Sequence, residues 1–274
     1  MGLEGRKVGK NVYLIFQPGE EIGAGAKVCR RFLKEKNIRR IYGFHNFPGY
    51  PEGKILLRRD LFACASEGLI ISLKGKRTHA AFPEAGRNPA FLAADFLSRL
   101  NRFVEDPDNR GLVLATVIEV RIGERAFGVS AGEGEICLTL RAHYLEDLQR
   151  LEQRIRSFLL EAGKQAGIEV TFEAQDVFSD TCNTVSCYED FKAALEQSGT
   201  PWQDLPEPFR ASEDFGWYLK ETEGLFFGVG AGENWPELHT PEFEFNDRIF
   251  EAVWKAYELL LKLPLTSEKE ESRQ

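Results

Sequence analysis

In the middle of the chain the spacing of apolar residues alternates between that of strands and that of helices, and few folds have the resulting order of elements. Apolar residues alternate with polar ones in the half-buried strand patterns and recur at three to four residues in the helical ones. The order βαββαβ is the ferredoxin-like arrangement, which we predict for residues 64–174. The predicted elements are a strand over 68–74, a helix over 88–104, strands over 112–122 and 135–143, a helix over 145–166 and a strand over 168–174.

The residues on either side of this unit are predicted to form a second, α/β domain. A chain of 274 residues with 43% hydrophobic content can bury a sizeable core, and its length favours about two domains. We therefore assign residues 1–63 and 175–274 to one domain, into which the middle unit is inserted.

Charge and composition exclude several classes of protein. A net charge of -8 argues against nucleic acid as a partner. We find no apolar run long enough to cross a membrane and no signal-peptide pattern, so no membrane partner is expected. The five cysteines lack the spacing of a disulfide scaffold, which predicts a reducing, cytoplasmic location.

Two adjacent carboxylates, Glu20 and Glu21, follow an apolar stretch near the start of the chain. Residues 11–16 are predicted to form a strand, which Pro18 and Gly19 end. The two carboxylates would then project where a buried strand opens into a cleft. One could bind a cation while the other holds a water as general base. The alternative is a solvated turn that happens to be acidic.

Two of the four histidines lie at comparable positions. His45 ends a short apolar run, and His239 follows a glycine-rich stretch over 228–232, so both are predicted at strand ends. Taken alone, each could be an ordinary loop histidine. Together with Glu21 they make a set of oxygen and nitrogen donors that suits zinc or another divalent transition metal. We therefore interpret the three as half of a metal site.

Five motifs occur in the order found in one enzyme family. The chain resembles the M20 metallopeptidases from about Val12 to Leu261. The resemblance is closest to the amidohydrolase branch, which includes N-acyl-amino-acid amidohydrolases, hippurate hydrolases and auxin-conjugate hydrolases. The motifs are FQPGEE at 16–21, GFH at 43–45 with PEG at 51–53, GKRTHAAFP at 75–83, SEDF at 212–215 and LHTP at 238–241.

The resemblance implies a metal-dependent amidohydrolase that cleaves an N-acyl amino acid or a similar small amide. Glu20 matches the family's general base, and Glu21 matches a metal ligand beside it. His45 and His239 match two further ligands of a two-metal site. Because Mn, Zn, Co and Ni all suit such ligands, the metal is not specified.

The resemblance also implies roles for two residues outside the ligand set. His79 matches the histidine that the smaller domain presents to the substrate, usually across a homodimer, where it stabilises the oxyanion. The alternative for His79 is a turn histidine. Asn183 matches an asparagine that lies near the substrate.

Glu213 and Asp214 allow two interpretations. With Ser212 as N-cap they could begin a helix, where acidic residues are favoured, and we prefer this to direct metal ligation. The family's Glu-Asp-Phe lies close to the site, so both acids could instead support the metal ligands or face the substrate.

The chain departs from the family in two places. No Cys-Gly-His-Asp segment precedes the Glu pair, so the resemblance implies a zinc-peptidase-like catalytic domain truncated at its N-terminal side. Without those ligands, Glu21, His45 and His239 would hold one ion weakly instead of a tight pair. Residues 126–130 also lack an asparagine that relatives carry, which puts recognition of a substrate carboxylate in doubt.

Three functions therefore stay open from the sequence. The chain could be a working metal-dependent amidohydrolase. It could be a half-enzyme that needs a complementing N-terminal segment to complete its sheet and its metal site. It could also be a non-catalytic protein that keeps the dimerisation domain and has lost the chemistry.

Overall fold

The structure, a computed structural model, describes residues 9–264; the ends of the predicted outer domain, 1–8 and 265–274, lie outside the described residues. Three short 3₁₀ turns cover Glu20–Ile22, Pro83–Ala85 and Asp247–Ile249. The helices are α1 (Gly25–Cys29), α2 (Arg31–Glu35), α3 (Pro89–Ser98), α4 (Leu100–Val104), α5 (Leu145–Ala166), α6 (Val185–Ser198), α7 (Gly216–Leu219) and α8 (Phe250–Lys262). The strands are β1 (Arg40–Pro48), β2 (Ile55–Leu57), β3 (Leu61–Ala63), β4 (Ala65–Lys74), β5 (Val113–Ile122), β6 (Glu133–Ala142), β7 (Glu169–Phe178), β8 (Thr181–Cys182), β9 (Trp202–Asp204) and β10 (Glu223–Gly232).

A mixed four-stranded sheet, of order β1-β10-β2-β9, organises the residues outside the middle unit. β1 and β10 run parallel, and β2 pairs antiparallel with β10. Strand β10 alternates between two cores: Leu225 and Phe227 pack with α6 and α8, whereas Phe226 packs on the opposite face with α1, α2 and α7. The sheet is therefore covered by helices on both faces, as the α/β assignment requires.

The middle unit is an antiparallel sheet of order β5-β6-β4-β7 with α3 and α5 packed on it. Its elements follow the predicted order of strands and helices. Residues 88–104 form two helices instead of the single one predicted, because Arg99 separates α3 from α4. Asn88 begins α3, and its side chain accepts a hydrogen bond from the Ala90 N–H at 3.0 Å.

The chain passes between the two units at two neighbouring points. Strands β3 and β8 pair there, and β4 and β7 begin and end beside them, with Ser66 opposite Phe178. Side chains also bridge the units; Arg141 of β6, for instance, donates from Nη1 to the Ser212 Oγ at 2.7 Å and to the Arg210 carbonyl. The loop before α7 is therefore fastened to the middle unit.

The prediction of a strand over residues 11–16 is wrong. The segment takes part in no ladder among the described residues; Leu14 is 79% and Phe16 89% exposed, whereas Ile15 is partly buried against the core that contains Ala26 and Leu33. The apolar composition of the segment favours a strand, but a strand also needs a neighbour that pairs with its backbone. Among the described residues β1 pairs with β10, and residues 11–16 do not add to the sheet at its other edge.

Within residues 9–264, no helix is both long and apolar enough to cross a bilayer. All five cysteines are free thiols.

Candidate metal centre

A tight loop presents Glu20 and Glu21. Gly19 and Gly23 flank the two acids in left-handed conformations, with φ of 66° and 65°. A Cβ on Gly23 would lie 2.7 Å from the Val177 carbonyl oxygen, so both its conformation and its contact with β7 require glycine. The loop therefore turns sharply on either side of the two carboxylates and lies against β7.

His45 lies inside β1, not at its end, because the strand continues to Pro48. Its Nδ1 is 2.7 Å from the Asn46 carbonyl oxygen. Since a carbonyl can only accept, Nδ1 carries the proton, and Nε2 keeps a lone pair for a metal. Burial lowers the pKa of His45, while the Glu21 carboxylate raises it and His239 lowers it. A neutral imidazole is the form that binds metal.

His239 approaches from the loop after β10, in a left-handed conformation with φ of 62°. Its ring is exposed, yet it acts electrostatically on both His45 and Glu20. Residues from the Glu20 loop, from β1 and from this loop are therefore brought close enough for their charges to interact. They do not form one of the compact groups of the described residues whose possible ligand atoms all lie within 4.8 Å of one another.

The compact group at this site consists of Glu20, Glu213 and Asp214, with oxygens within 4.8 Å of one another. Burial, together with the charges of Glu20, Asp214 and Glu21, raises the pKa of Glu213 to about 9. Burial also raises the pKa of Glu20, helped by Asp214 and Glu21 and opposed by the Asp214 backbone N–H and by His239. Negative charge is thus concentrated in a poorly solvated site, which a divalent cation would neutralise.

The predicted helix cap at Ser212 is wrong. Helix α7 begins at Gly216 with Phe215 as N-cap, and no side chain caps it. Ser212 instead accepts the hydrogen bond from Arg141, which draws it toward the middle unit. Asp214 does cap a helix, but a different one: its Oδ2 accepts from the Ala26 N–H of α1 at 2.7 Å.

His79 lies apart from these groups, on the middle unit. Its backbone bridges to Val129, its Nδ1 accepts from the Ala81 N–H at 3.1 Å, and its ring lies beside Phe82. It is exposed. Within the described residues its contacts belong to its own loop and the facing one, so its role at a reacting centre stays a prediction.

Asn183 is buried behind β10. Its Nδ2 donates to the Arg58 and Phe226 carbonyls at 3.0 and 2.9 Å, and its Oδ1 accepts from the Phe226 N–H at 2.7 Å. Both amide hydrogens are therefore engaged with backbone. The structure gives Asn183 a part in fixing β10, and contact with a substrate stays a prediction.

The donors present suit a divalent metal. Glu21 offers carboxylate oxygen, while His45 and His239 offer imidazole nitrogen, the mixture that Zn and its neighbours accept. Gln17 and Tyr218 were not predicted as site residues. Gln17 donates a hydrogen bond to Asp214, and Tyr218 donates one to Gln17. The sequence signal for this close packing was the Gly-Ala-Gly turn at 23–25, because a Cβ on Gly25 would crowd Asp214 and Gln17.

Two solved structures of bacterial proteins have a similar fold. A putative aminohydrolase from methicillin-resistant Staphylococcus aureus matches with a TM-score of 0.78 and 21% identity, over 90% of this chain and 66% of that one. The YXEP protein of Bacillus subtilis, described as a dinuclear metal binding peptidase from the M20 family, matches with a TM-score of 0.73 and 21% identity, over 90% of this chain and 63% of that one. At this identity the similarity shows the fold.

Sequence relatives and a family model agree with the fold. N-acetyldiaminopimelate deacetylase of Exiguobacterium sibiricum is 26% identical, over 84% of this chain and 62% of the relative. IAA-amino acid hydrolase ILR1-like 2 of Arabidopsis thaliana is 27% identical, over 87% and 56%. The chain thus spans less than two thirds of the length of these relatives. The model of peptidase family M20/M25/M40 matches residues 3–263, so the chain belongs to that family.

Proposed function

We propose that the chain carries the active site of a metal-dependent amidohydrolase for small amides of the N-acyl amino acid type. One observation supports this most: Glu20, Glu21, His45 and His239 come from three separate parts of the chain and interact electrostatically in one place. Relatives named as a deacetylase of an N-acetylated amino acid and as a hydrolase of an amino acid conjugate fit the same substrate class.

In this proposal Glu21, His45 and His239 hold a divalent ion, which could be Mn, Zn, Co or Ni. When bound, the ion supplies Lewis acidity at the amide carbonyl. Glu20 takes the proton of the attacking water and passes it to the leaving nitrogen. The oxyanion of the tetrahedral intermediate needs a donor, and we assign that role to His79. Glu213 and Asp214 support the site, and Asn183 fixes the strand beside the substrate.

His79 reaches a reacting centre in this scheme only from a second copy of the chain. We therefore propose a homodimer built through a ferredoxin-like domain over residues 64–174. Strand β5 supports this because it is an edge strand and leaves apolar side chains uncovered, among them Ile118, which is 62% exposed. The free cysteines fit the cytoplasmic location that we propose for the protein.

The test is substitution of the general base. Glu20→Gln keeps the shape of the side chain but cannot accept a proton, so we expect turnover of an N-acyl amino acid to fall about 10²- to 10⁴-fold. Metal content should change little, because Glu20 is not an assigned ligand. The assay compares metal-loaded wild type, Glu20→Gln and Glu35→Gln, an exposed control on α2. Equal activity of wild type and Glu20→Gln would overturn the proposal.

A second candidate function is a half-enzyme completed by another segment, and the exposed run over residues 11–16 favours it. Leu14 and Phe16 are uncovered, and β1 is an edge strand of the sheet, where a further strand could pair. Supplying the Cys-Gly-His-Asp part of a full-length relative in trans should then raise metal affinity and turnover. No change on addition would reject this candidate. A non-catalytic dimer instead predicts that His45→Ala behaves as wild type in folding and assembly.

A further inference from the structure

Asp214 binds both ends of the loop that carries Glu20. Its Oδ1 accepts from the Gln17 Nε2 at 2.7 Å, and its Oδ2 accepts from the Ala26 N–H at 2.7 Å. Gln17 precedes Glu20 in the chain and Ala26 follows it. The carboxylate oxygens of Asp214 and Glu20 lie within 4.8 Å of one another, and the backbone N–H of Asp214 is near enough to lower the pKa of Glu20. One residue, 1% exposed, therefore fixes the loop and orients the carboxylate at its tip.

Tyr218 determines which way the Gln17 amide faces. Its hydroxyl donates to the Gln17 Oε1 at 2.6 Å, while Nε2 of the same amide donates to Asp214. A carboxylate can only accept, so a flipped amide would place its oxygen against the oxygen of Asp214. The hydroxyl of Tyr218 and the carboxylate of Asp214 thus hold Gln17 in one orientation, and the three side chains form a directed chain of hydrogen bonds.

The backbone packs tightly against these three hydrogen-bonded side chains. A Cβ on Gly25 would lie 2.3 Å from the Pro18 carbonyl oxygen and 3.1 Å from the Asp214 Oδ2. The start of α1 therefore lies directly against Asp214 and the Glu20 loop. A shift of Asp214 would have to move α1, the loop, or both.

We propose that Gln17 and Tyr218 are positioning residues for the general base. Through Asp214 they hold the Glu20 carboxylate where it can take the proton of the attacking water, although neither touches the substrate. The inference rests on the role proposed for Glu20. Positioning of a general base affects the chemical step more than binding, because a displaced carboxylate loses alignment with the proton in the transition state.

The experiment uses the metal-loaded full chain and three variants: Tyr218→Phe, Gln17→Leu and the double variant. We expect each single variant to lower kcat about tenfold or more, with KM and metal content within about twofold of wild type. The double variant should be no worse than Gln17→Leu alone, because both changes interrupt the same chain. The matched control is Tyr188→Phe, which removes a similar 2.7 Å hydrogen bond, to Asp204, away from the site.

The proposal is overturned if Tyr218→Phe and Gln17→Leu keep the kcat of wild type, or if their losses equal that of Tyr188→Phe. Should Gln17→Leu fail to fold, Tyr218→Phe, which removes a single oxygen atom, carries the test. If wild type itself hydrolyses no amide, the proposed function fails and the positioning of a general base fails with it; hydrogen exchange at the Ala26 amide then tests separately whether Gln17 and Tyr218 fix the loop through Asp214. Exchange several-fold faster in Gln17→Leu and Tyr218→Phe than in wild type and Tyr188→Phe supports it, and unchanged exchange rejects it.

Discussion

Glu67 of β4 is a carboxyl group buried away from the candidate site. It is 6% exposed and lies on the face of β4 that packs against α5, where Glu152 and Arg156 are its charged neighbours. Its Oε1 has no hydrogen-bond partner among the described residues. Burial, helped by the Glu152 charge and opposed by Arg156, raises the pKa of Glu67 from 4.5 to about 7. The folded state thus favours the protonated form.

The raised pKa of Glu67 predicts how stability changes with pH. Between pH 4.5 and about 7 the unfolded state ionises while the folded state stays neutral, so the free energy of unfolding falls as pH rises and then levels off. Glu67→Gln removes this loss. We expect it to stabilise the chain at pH 8 by up to about 3 kcal/mol and by much less at pH 5.

Urea unfolding at the two pH values measures this difference. The control is Glu169→Gln, an exposed carboxyl at the start of β7. A gain from Glu67→Gln that is equal at pH 5 and pH 8 would contradict the prediction, because a neutral side chain can relieve only the ionised form.

At the scale of elements, the start of the short helix α1 lies against the candidate site. Helix α1 is held at its start by Asp214, a residue 188 positions away in the chain. Gly25→Ala would place a Cβ 2.3 Å from the Pro18 carbonyl oxygen, so we expect a loss of about 1–3 kcal/mol in unfolding free energy. Gly128→Ala, where a Cβ meets nothing within 4 Å, is the control. Thermal unfolding of both variants checks this, and equal stability would contradict it.

The apolar period and the order of the elements could be predicted from the sequence, whereas the contacts between distant segments could not. The helix over Leu145–Ala166 and the order of the middle elements agree with the apolar pattern, because one buried face repeats regularly. Residues 11–16 have the composition of a strand, but no local pattern reveals whether a neighbour will pair with it. Glu20, Glu21, His45 and His239 were singled out by their positions after apolar or glycine-rich stretches, and the motif resemblance then supplied their individual roles. The hydrogen bonds of Asp214 join distant segments, so local reasoning assigned its capping to the wrong helix.

At the scale of the whole molecule, uncovered apolar residues near the candidate site should drive association beyond the proposed dimer. Leu14 is 79% and Phe16 89% exposed, side by side in one segment. We expect the double variant Leu14→Asp, Phe16→Ser to lower the mean mass in light scattering at high protein concentration. Phe127→Ser, which removes a 94% exposed ring from the middle unit, is the control. An unchanged mass for the double variant would show that this segment does not mediate association.

The middle unit enters and leaves through adjacent positions, since Ser66 faces Phe178 across paired strands. Its removal would therefore leave two chain ends that a short peptide can rejoin at little entropic cost. The remaining sheet and its two cores would keep their internal contacts, and the links lost would include the Arg141 bridge to Ser212, the hydrogen bond from the Leu145 N–H to Asp180 and the contact of Gly23 with Val177. We therefore expect the two units to be separable, so that the surface proposed for assembly could be exchanged while the residues proposed for chemistry stay in the other unit.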